Sequence, residues 1–389
     1  MKPHLIFYCQ HSLGMGHLVR SLALCDALAS SFDVTLLNGG RWPGSFARPS
    51  TVEIVDLSPI GMAEDASIVS LDGLPIHEAK ARRLASIQET VAARPADVVV
   101  IELYPLGRKK FRFEIEPLID LSAGAVIACS VRDILVNNRH DQQRHDDRAA
   151  EALNDKFDCV IVHADPSFAS LEESFRPTAP LRIPVFYSGF VAPELARGAV
   201  GPRSGVIVSA GGGIVGGPLF NAALTAAPRI ERETGHNTTI VAGPFLPADE
   251  WRELEERAKS TPQATLIRET PDLYAMLCGA SVSVSQCGYN SALEIVRSGV
   301  AALVVPFVRE RETEQLERAG RLAKIGAVET LHPDDATPDR LAEIVRQLSA
   351  GGRINTARPL ALNGGDTTRR ILLEAYSRRR ARPCERRAV

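Results

Sequence analysis

The chain has 389 residues, of which 45% are hydrophobic and 24% are charged, and this composition indicates an ordinary globular protein with two domains. Its formal net charge of −2 gives no general case for binding nucleic acid or an acidic membrane surface. The seven cysteines form no CxxC pair, and no apolar run approaches the roughly 18 residues that span a bilayer, so we expect a cytoplasmic protein without a transmembrane segment.

Short apolar runs alternate with amphipathic segments, which predicts βα units and mostly parallel sheets. In the first half we predict strands at 5–9, 33–38, 52–56, 97–101, 125–129, 158–162 and 183–187, and helices at 17–30, 77–93, 109–123, 142–155 and 167–175. In the second half we predict strands at 205–209, 238–242, 264–267, 281–285, 301–305 and 327–330, and helices at 218–234, 249–259, 271–278, 289–298, 312–325 and 337–349. The first strand begins too early to leave room for a signal peptide.

This pattern predicts an α/β fold of two facing Rossmann-like domains, with a ligand cleft between them where the strands end. We place the first domain at 1–188, a linker rich in Gly, Pro and Ala at 189–204, and the second domain at 205–365. A C-terminal helix and basic tail would occupy 366–389. The tail carries six arginines from Ser377 onward, and we expect a frayed, solvated terminus there.

The first predicted strand is followed by a glycine turn and a histidine. Gly14 and Gly16 allow a tight turn and the close approach of a ligand to the backbone. His17 then lies at the start of a helix, where the helix dipole disfavours a charged imidazole, and it is a candidate general base. The alternative is a capping or packing histidine.

Polar residues also follow two other strands of the first domain. Glu102 and Arg108 come after the fourth strand, on either side of an irregular turn, and Arg132 and Asp133 follow the next one. The ends of parallel strands meet at one edge of a sheet, so these residues are candidates for the acceptor side of a site. An ion pair that braces the turn is the alternative.

The second domain opens with a glycine-rich loop in which Gly211, Gly213 and Gly216 satisfy GxGxxG, and Gly212 lies among them. A dinucleotide site would also need an acidic residue after the next strand, but that strand ends in Gly243-Pro244. We therefore interpret the loop as a phosphate-side turn.

Residues 283–294 read as a buried strand, a Ser/Gly turn and the start of a helix. The free N–H groups and the dipole of such a helix make a site for an anion. Glu294, in the second turn, is badly placed for phosphate but can accept hydrogen bonds from a pair of sugar hydroxyls. An ordinary strand–turn–helix with a solvated Glu is the alternative. The next loop, which neighbours this turn in a parallel sheet, begins with Pro306-Phe307 and carries Glu310, Glu312, Glu314 and Gln315.

No metal ion or other cofactor is predicted. His140 and His145 are five residues apart, which puts them on different faces of a helix. No strand ends in an Asp-x-Asp that would hold Mg²⁺ for a nucleotide, and the Walker A and GxSxG patterns are absent.

Three stretches together resemble the GT-B glycosyltransferases, and among these the family of the peptidoglycan UDP-N-acetylglucosamine transferase. They are residues 14–17, residues 285–294, and Pro306-Phe307 followed by Glu314-Gln315. Their order and separations fit this family from about residue 4 to residue 350. The resemblance implies an inverting, metal-independent enzyme of polysaccharide or glycoconjugate biosynthesis. Such an enzyme would move a sugar from a nucleotide diphosphate sugar, with UDP as the nucleotide, to a hydroxyl acceptor.

The resemblance also implies roles for individual residues. In the second domain, Glu294 would bind the ribose. Gln315, together with either Glu314 or Glu312, would bind the donor sugar, and the segment 266–268 would contact the base of the nucleotide. The diphosphate would be bound by Gly288, Tyr289 and Asn290, and the loop that contains Gly211, Gly212 and Gly213 would stabilise it as it leaves. Ile267 and Arg268 would present backbone to the base. In the first domain His17 would be the general base that takes the acceptor proton, with Glu102 as the second candidate for this role.

Two other functions stay open at this point. The stretch from Gly14 to Leu24 is also similar to the first motif of the UDP-sugar hydrolase of pseudaminic acid synthesis, which passes the sugar to water. A non-catalytic nucleotide-sugar-binding protein on the same plan would need the donor residues but no base. The acceptor, the oligomeric state and peripheral contact with a membrane are not specified by the sequence.

Overall fold

The computed structural model describes residues 2–11, 16–44, 46–63, 67–192, 202–309, 313–351 and 360–381. Contacts divide the chain into two units. The first unit comprises Met1–Leu13, His17–Pro193 and Leu360–Val389, and the second comprises Gly14–Gly16 and Glu194–Pro359. Both ends of the chain therefore belong to the first unit.

The first unit alternates strands and helices. Its strands are β1 (His4–Cys9), β2 (Asp33–Asn38), β3 (Glu53–Asp56), β4 (Ile60–Met62), β5 (Ile68–Ser70), β6 (Val98–Glu102), β7 (Val126–Arg132), β8 (Cys159–His163) and β9 (Val185–Tyr187). Its helices are α1 (Gly16–Ala29), α2 (Ile76–Ala93), α3 (Arg112–Leu121), α4 (Gln142–Lys156) and α5 (Leu171–Ser174).

Within the described residues, seven of these strands form one parallel sheet in the order β3-β2-β1-β6-β7-β8-β9. The order reverses between β1 and β6, whose register pairs Leu5 with Val98 and Tyr8 with Ile101. At such a switch point the loops after the two central strands diverge to opposite faces of the sheet and leave a crevice. The loop after β1 leads to His17, and β6 ends in Glu102.

The central strands are buried on both faces, which explains why they read as continuous apolar runs rather than as alternating ones. One core cluster contains Leu5, Phe7, Val98 and Val126, all no more than 1% exposed. The last helix, α12 (Gly364–Ala381), contributes Leu372 to this cluster. The final helix of the chain is therefore part of the first unit's core.

A buried polar network connects several elements of the first unit. Arg83 on α2 forms an ion pair with Glu114 on α3, through Nε and Nη2 at 2.7 and 2.5 Å, and neither side chain is exposed. Tyr8 Oη donates to the same carboxylate at 2.5 Å. Arg83 also donates to the carbonyl oxygens of Gly39 and Ser58, both at 2.8 Å. One guanidinium thus ties two helices and the loop after β2 to the central strand.

The second unit has the same plan in a single stretch of chain. Its strands are β10 (Val206–Ser209), β11 (Thr238–Val241), β12 (Ala264–Ile267), β13 (Val282–Ser285), β14 (Ala301–Val304) and β15 (Glu329–Thr330). Its helices are α6 (Gly217–Thr234), α7 (Ala248–Ala258), α8 (Leu273–Gly279), α9 (Tyr289–Ser298), α10 (Glu314–Lys324) and α11 (Pro338–Gly351). In the described part of this unit, the parallel sheet has the order β12-β11-β10-β13-β14-β15, so its switch point lies between β10 and β13.

The predicted fold class of two Rossmann-like α/β domains is confirmed, and most predicted elements lie within two residues of their observed bounds. Four predictions were wrong. The helix expected at 167–175 is a single turn, Leu171–Ser174. The hairpin of β4 and β5 was missed, because three-residue strands carry too little pattern. The helix expected from 109 begins at Arg112, after a single 3-10 turn. The terminus expected to fray from Ser377 stays helical to Ala381, where Arg379 forms an ion pair with Asp158.

The Arg83 network gives a stability prediction. Replacing Arg83 with Met leaves the Glu114 carboxylate buried without its cation, so we expect a loss of about 3–5 kcal/mol in the free energy of unfolding, measured by urea denaturation. The control is Arg82→Met on the same helix, which breaks an exposed pair with Glu78 and should cost about 0.5 kcal/mol or less. Equal losses in the two variants would contradict the importance of the network.

Candidate functional site

The switch point of the first unit brings His17 and Glu102 together. His17 is the second residue of α1, and Glu102 is the last residue of β6. His17 Nδ1 lies 2.6 Å from Glu102 Oε1. The Glu102 side chain is 1% exposed and that of His17 is 20% exposed, so the carboxylate lies behind an imidazole that solvent can reach.

A third residue, Arg20, completes this cluster. Arg20 Nη2 donates to Glu102 Oε1 at 2.6 Å and lies 3.3 Å from His17 Nδ1. An ionised carboxylate only accepts hydrogen bonds, so the proton between Glu102 and His17 is on Nδ1. The Nε2 atom of a neutral His17 then carries the lone pair, as a general base requires.

Protonation of this pair is set by burial and by the arginines. Burial lowers the pKa of His17 to about 4, although Glu102 acts to raise it. Burial alone would raise the pKa of Glu102, but His17, Arg108 and Arg20 together hold it well below its usual range. Near neutral pH the site therefore contains a carboxylate and a neutral imidazole.

The structure places the other predicted residues of this edge as follows. Arg108 has left-handed backbone (φ 57°), and its Nε lies 3.6 Å from Glu102 Oε2 with the side chain 13% exposed. Arg132 ends β7 and is partly exposed, whereas Asp133 is 2% exposed. Gly16 is the first residue of α1, and Gly14 lies outside the described residues. Arg108 thus joins the His17 cluster, while Arg132 and Asp133 lie one strand away.

Arg20 was not predicted from the sequence, although a signal was present. It follows His17 by three residues and so shares its helical face. That face of α1 also carries Leu24 and Cys25, which are buried. An arginine among core positions of a helix needs a buried anion, and Glu102 is that anion.

In the second unit, the loops after β10 and β13 meet at the other switch point. Gln286 Nε2 donates to the carbonyl oxygen of Val215 at 3.0 Å and links the two loops. Gly213 has φ 88°, and a Cβ there would lie 2.0 Å from the carbonyl oxygen of Ala242. Only glycine fits this close approach of backbone to backbone. Gly211 also has a positive φ, and Gly212 accepts a hydrogen bond from Phe245 N.

Helix α9 is separated from β13 by three residues, and no side chain caps its start. Gly288 is its N-cap and supplies no side chain to cap it. The Tyr289 side chain is 6% exposed and packs in the core, so only the backbone of this residue can face a ligand, whereas Asn290 is partly exposed. The positive end of the helix dipole favours an anion at this position.

Gln315 holds the loop before α9 in place. Its Oε1 accepts hydrogen bonds from the backbone N–H groups of Cys287, at 3.0 Å, and Phe307, at 3.1 Å. Two donors fix this atom as the oxygen, so the amide nitrogen can only donate to a ligand. Three residues further along α10, the buried Arg318 donates to the carbonyl oxygen of Cys287 at 2.9 Å. Glu314 is the first residue of this helix and is partly exposed.

Glu294 lies in the second turn of α9 and is partly buried. Burial raises the pKa of its carboxyl from 4.5 to about 7, although Arg297 acts to lower it. No hydrogen bond joins this carboxylate to another residue within the described part of the chain. A carboxylate that is costly to ionise gains from a ligand that donates hydrogen bonds to it.

The segment predicted to present backbone to a base is engaged within its own unit. The carbonyl oxygens of Ile267 and Arg268 accept hydrogen bonds from Ala242 N and Gly243 N, both at 2.9 Å. The Arg268 guanidinium lies over the Trp251 ring, 5.1 Å from its centroid, and donates to the Leu246 carbonyl oxygen at 2.6 Å. The base of a nucleotide bound at this edge would therefore have to form its hydrogen bonds with groups other than these two carbonyls.

The residues that the structure describes contain no cluster of three or more His, Cys, Asp or Glu side chains placed to hold a metal ion. None of their helices is both long enough and apolar enough to cross a membrane.

The raised pKa of Glu294 predicts how stability depends on pH. Between pH 4.5 and about 7 the folded chain keeps a proton on Glu294 that the unfolded chain releases, so this residue lowers stability as pH rises. We expect Glu294→Gln to be more stable than the unchanged protein by roughly 1–3 kcal/mol at pH 8, and equal at pH 4.5, by urea denaturation. The exposed Glu253→Gln is the control, and a pH-independent difference would contradict the prediction.

The two backbone contacts of Gln315 predict a split between two substitutions. Gln315→Glu keeps an oxygen for both N–H groups and should leave the free energy of unfolding nearly unchanged. Gln315→Ala leaves both groups without this acceptor and should cost about 1–3 kcal/mol. The exposed Gln347→Ala on α11 is the control, and the interpretation fails if Gln315→Ala is no less stable than that variant.

A segment in the C-terminal half of the chain matches a known family model. Residues 211–361 match the model described as the glycosyltransferase family 28 C-terminal domain. A similar protein from Brucella anthropi is the UDP-N-acetylglucosamine–N-acetylmuramyl-(pentapeptide) pyrophosphoryl-undecaprenol N-acetylglucosamine transferase. It is 27% identical over 135 residues, which are 35% of this chain and 36% of that protein. The chain therefore matches only about a third of the length of this relative.

Solved structures resemble the chain over almost its whole length. The calicheamicin glycosyltransferase CalG4 gives a TM-score of 0.57 at 18% identity and covers 97% of this chain and 95% of its own. MurG from Acinetobacter baumannii gives 0.57 at 14% identity, with 96% and 100% covered. A UDP-glucosyltransferase from Polygonum tinctorium gives 0.61 at 14% identity, with 98% and 100% covered. The chain has the GT-B fold, and its residues 211–361 match the model of the glycosyltransferase family 28 C-terminal domain, as the resemblance predicted.

Proposed function

We propose that this protein is an inverting, metal-independent glycosyltransferase that moves a sugar from a UDP-linked donor to a hydroxyl group of an acceptor. The observation that carries the proposal is the His17–Glu102 pair in a chain whose second unit is a family 28 domain. A protein that only bound nucleotide sugars would have no need of a buried carboxylate that orients an accessible imidazole.

The donor is assigned to the second unit. The start of α9 at Gly288, Tyr289 and Asn290 suits the diphosphate, because the helix dipole is positive there and no side chain caps the helix. Glu294 suits the ribose hydroxyls, because burial makes its carboxylate costly to ionise without hydrogen-bond donors. The relative from Brucella anthropi is named as a transferase of UDP-N-acetylglucosamine, which supports UDP as the nucleotide. Gln315 donates from its amide nitrogen to the donor sugar.

The acceptor is assigned to the first unit, where His17 is the base. His17 Nε2 takes the proton of the acceptor hydroxyl as its oxygen attacks the anomeric carbon of the donor. The bond from that carbon to the diphosphate oxygen breaks at the same time, and the diphosphate leaves with the electron pair. One displacement inverts the configuration at this carbon. Glu102 is too deeply buried to be the second base and instead orients the imidazole.

The leaving diphosphate gains negative charge as the bond breaks. The start of α9 offers the positive end of its helix dipole at this position, and such fixed dipoles stabilise developing charge. We assign the loop that contains Gly211–Gly213 to the same role because it lies beside α9, where a Cβ on Gly211 would be 3.9 Å from Ser291 Oγ. Stabilisation by the backbone needs no metal ion, which is the basis of the metal-independent mechanism.

Lipid-linked saccharides, polysaccharide precursors and small natural products are the acceptor classes to test.

Two variants separate the roles of the two units. His17→Ala should lower turnover by well over tenfold and leave UDP binding unchanged, because it removes the base and not the donor site. Glu294→Ala should lower UDP affinity because the ribose loses its acceptor. Each variant is the control for the other. UDP binding is measured by calorimetry, and UDP release from a panel of nucleotide sugars is measured with and without a cell extract that supplies acceptors.

Two outcomes of the same experiment would contradict the proposal. Rapid release of UDP without any acceptor would identify a hydrolase. Binding of a nucleotide sugar without release in either condition would identify a binding protein. A Glu294→Ala variant that keeps full UDP affinity would exclude the ribose assignment.

A further inference from the structure

We propose that Arg20 and Arg108 are positioning residues, which share the Glu102 carboxylate between them and so keep His17 neutral, with Nε2 free to accept a proton. The inference rests on the proposed role of His17 as the base. It adds a function for two arginines in the first unit that the comparison with known proteins does not assign.

The contacts of Glu102 show that its negative charge is shared among three residues. A carboxylate that pairs with a single histidine favours the charged imidazolium, because the two opposite charges attract. Here the same carboxylate also lies 2.6 Å from Arg20 Nη2 and 3.6 Å from Arg108 Nε. Both guanidinium groups are permanently charged, so the negative charge of Glu102 is already balanced before His17 takes a proton.

The position of Arg20 disfavours a positive charge on the His17 ring. Its Nη2 lies 3.3 Å from His17 Nδ1, and Nδ1 already carries the proton that it donates to Glu102. A cation beside this N–H repels a second positive charge on the ring. With the Arg20 side chain only 2% exposed, solvent screens the repulsion weakly.

Three other titratable groups close to the cluster, among the residues that the structure describes, add no charge of their own near neutral pH. Burial raises the pKa of the Cys9 thiol to about 12 and lowers the pKa of His163 to about 3. Burial also lowers the pKa of His11, which contacts Asn38 Oδ1 at 3.0 Å. The charge that His17 meets is therefore set by Glu102, Arg20 and Arg108, and it has one positive charge in excess.

A neutral histidine of this kind is a weak base. It can take the proton of an alcohol only as the new bond to the anomeric carbon forms, because the hydroxyl becomes strongly acidic at that stage. The arginines thus keep the base ready at mildly acidic pH, and they delay proton transfer until the displacement has begun.

The charge of His17 can be measured without turnover. The full chain is labelled with carbon-13 at the histidine Cε1 atoms, and the His17 signal is identified by its loss in His17→Gln. Its shift is followed from pH 4 to pH 9 in the unchanged protein and in Arg20→Met, Arg20→Lys and Arg108→Met. Arg48→Met removes an exposed arginine of the same unit and is the control. The acid limb of kcat/KM for UDP release is measured in parallel.

We expect His17 of the unchanged protein to stay neutral above pH 5. Arg20→Met and Arg108→Met should each raise the midpoint by at least one pH unit, and the acid limb of kcat/KM should move with it. Arg20→Lys should restore most of the original midpoint, and Arg48→Met should not change it. A residue that only stabilises the fold would leave the midpoint where it is.

Two results would overturn the inference: a midpoint near 6.5 in the unchanged protein, or an unchanged midpoint in Arg20→Met and Arg108→Met. If one variant fails to fold, the other still tests the sharing of charge. Shifts of the midpoint in a protein that releases UDP from no donor would uphold the electrostatic role and refute the proposed function.

Discussion

A charged group at the end of a central strand must find partners, because removing one ion from water costs several kcal/mol. Glu102 is such a group, and its needs determine the arrangement around it. His17 comes from the start of α1, Arg20 from the next turn of that helix, and Arg108 from the loop after β6. The carboxylate therefore joins the two loops of the switch point, and any chemistry at this edge of the sheet is built on that junction.

The two units solve the same geometric problem with different chemistry. In each, the first and fourth strands of the sheet adjoin where the strand order reverses, and their loops carry the candidate residues. The first unit uses charged side chains at this position. The second uses backbone, with glycines where side chains would collide and with a helix start that no side chain caps. Side chains suit proton transfer, and backbone dipoles suit a large anion.

Gln315 and Arg318 show how the backbone site is kept in shape. A loop of small residues has little side-chain packing of its own, so its conformation must be imposed from outside. Both polar groups of the Cys287 backbone are held by α10, the N–H by Gln315 and the carbonyl by Arg318. The helix after β14 thus fixes the loop after β13, and changes in α10 are transmitted to the start of α9.

The sequence was sufficient for the fold because apolar runs and helical periodicity are properties of neighbouring residues. It also singled out His17, Glu102 and Glu294 as candidates, because they end a strand or lie in the first two turns of a helix. The contact of Arg20 with Glu102 depends on which strands adjoin, and no local pattern records that. The same reason explains why Gln315 was assigned to a sugar with no sign that its oxygen holds two loops. The hairpin of β4 and β5 is too short for any periodicity.

The helix that ends the described chain has a consequence for the order of folding. Leu372 of α12 is fully buried among residues from β1 and β7, so the core of the first unit is incomplete until α12 has been synthesised. The second unit is almost contiguous and precedes α12 in the chain. On the ribosome the first unit should therefore finish folding after the second, and its apolar sheet face stays open to chaperones while the second unit folds.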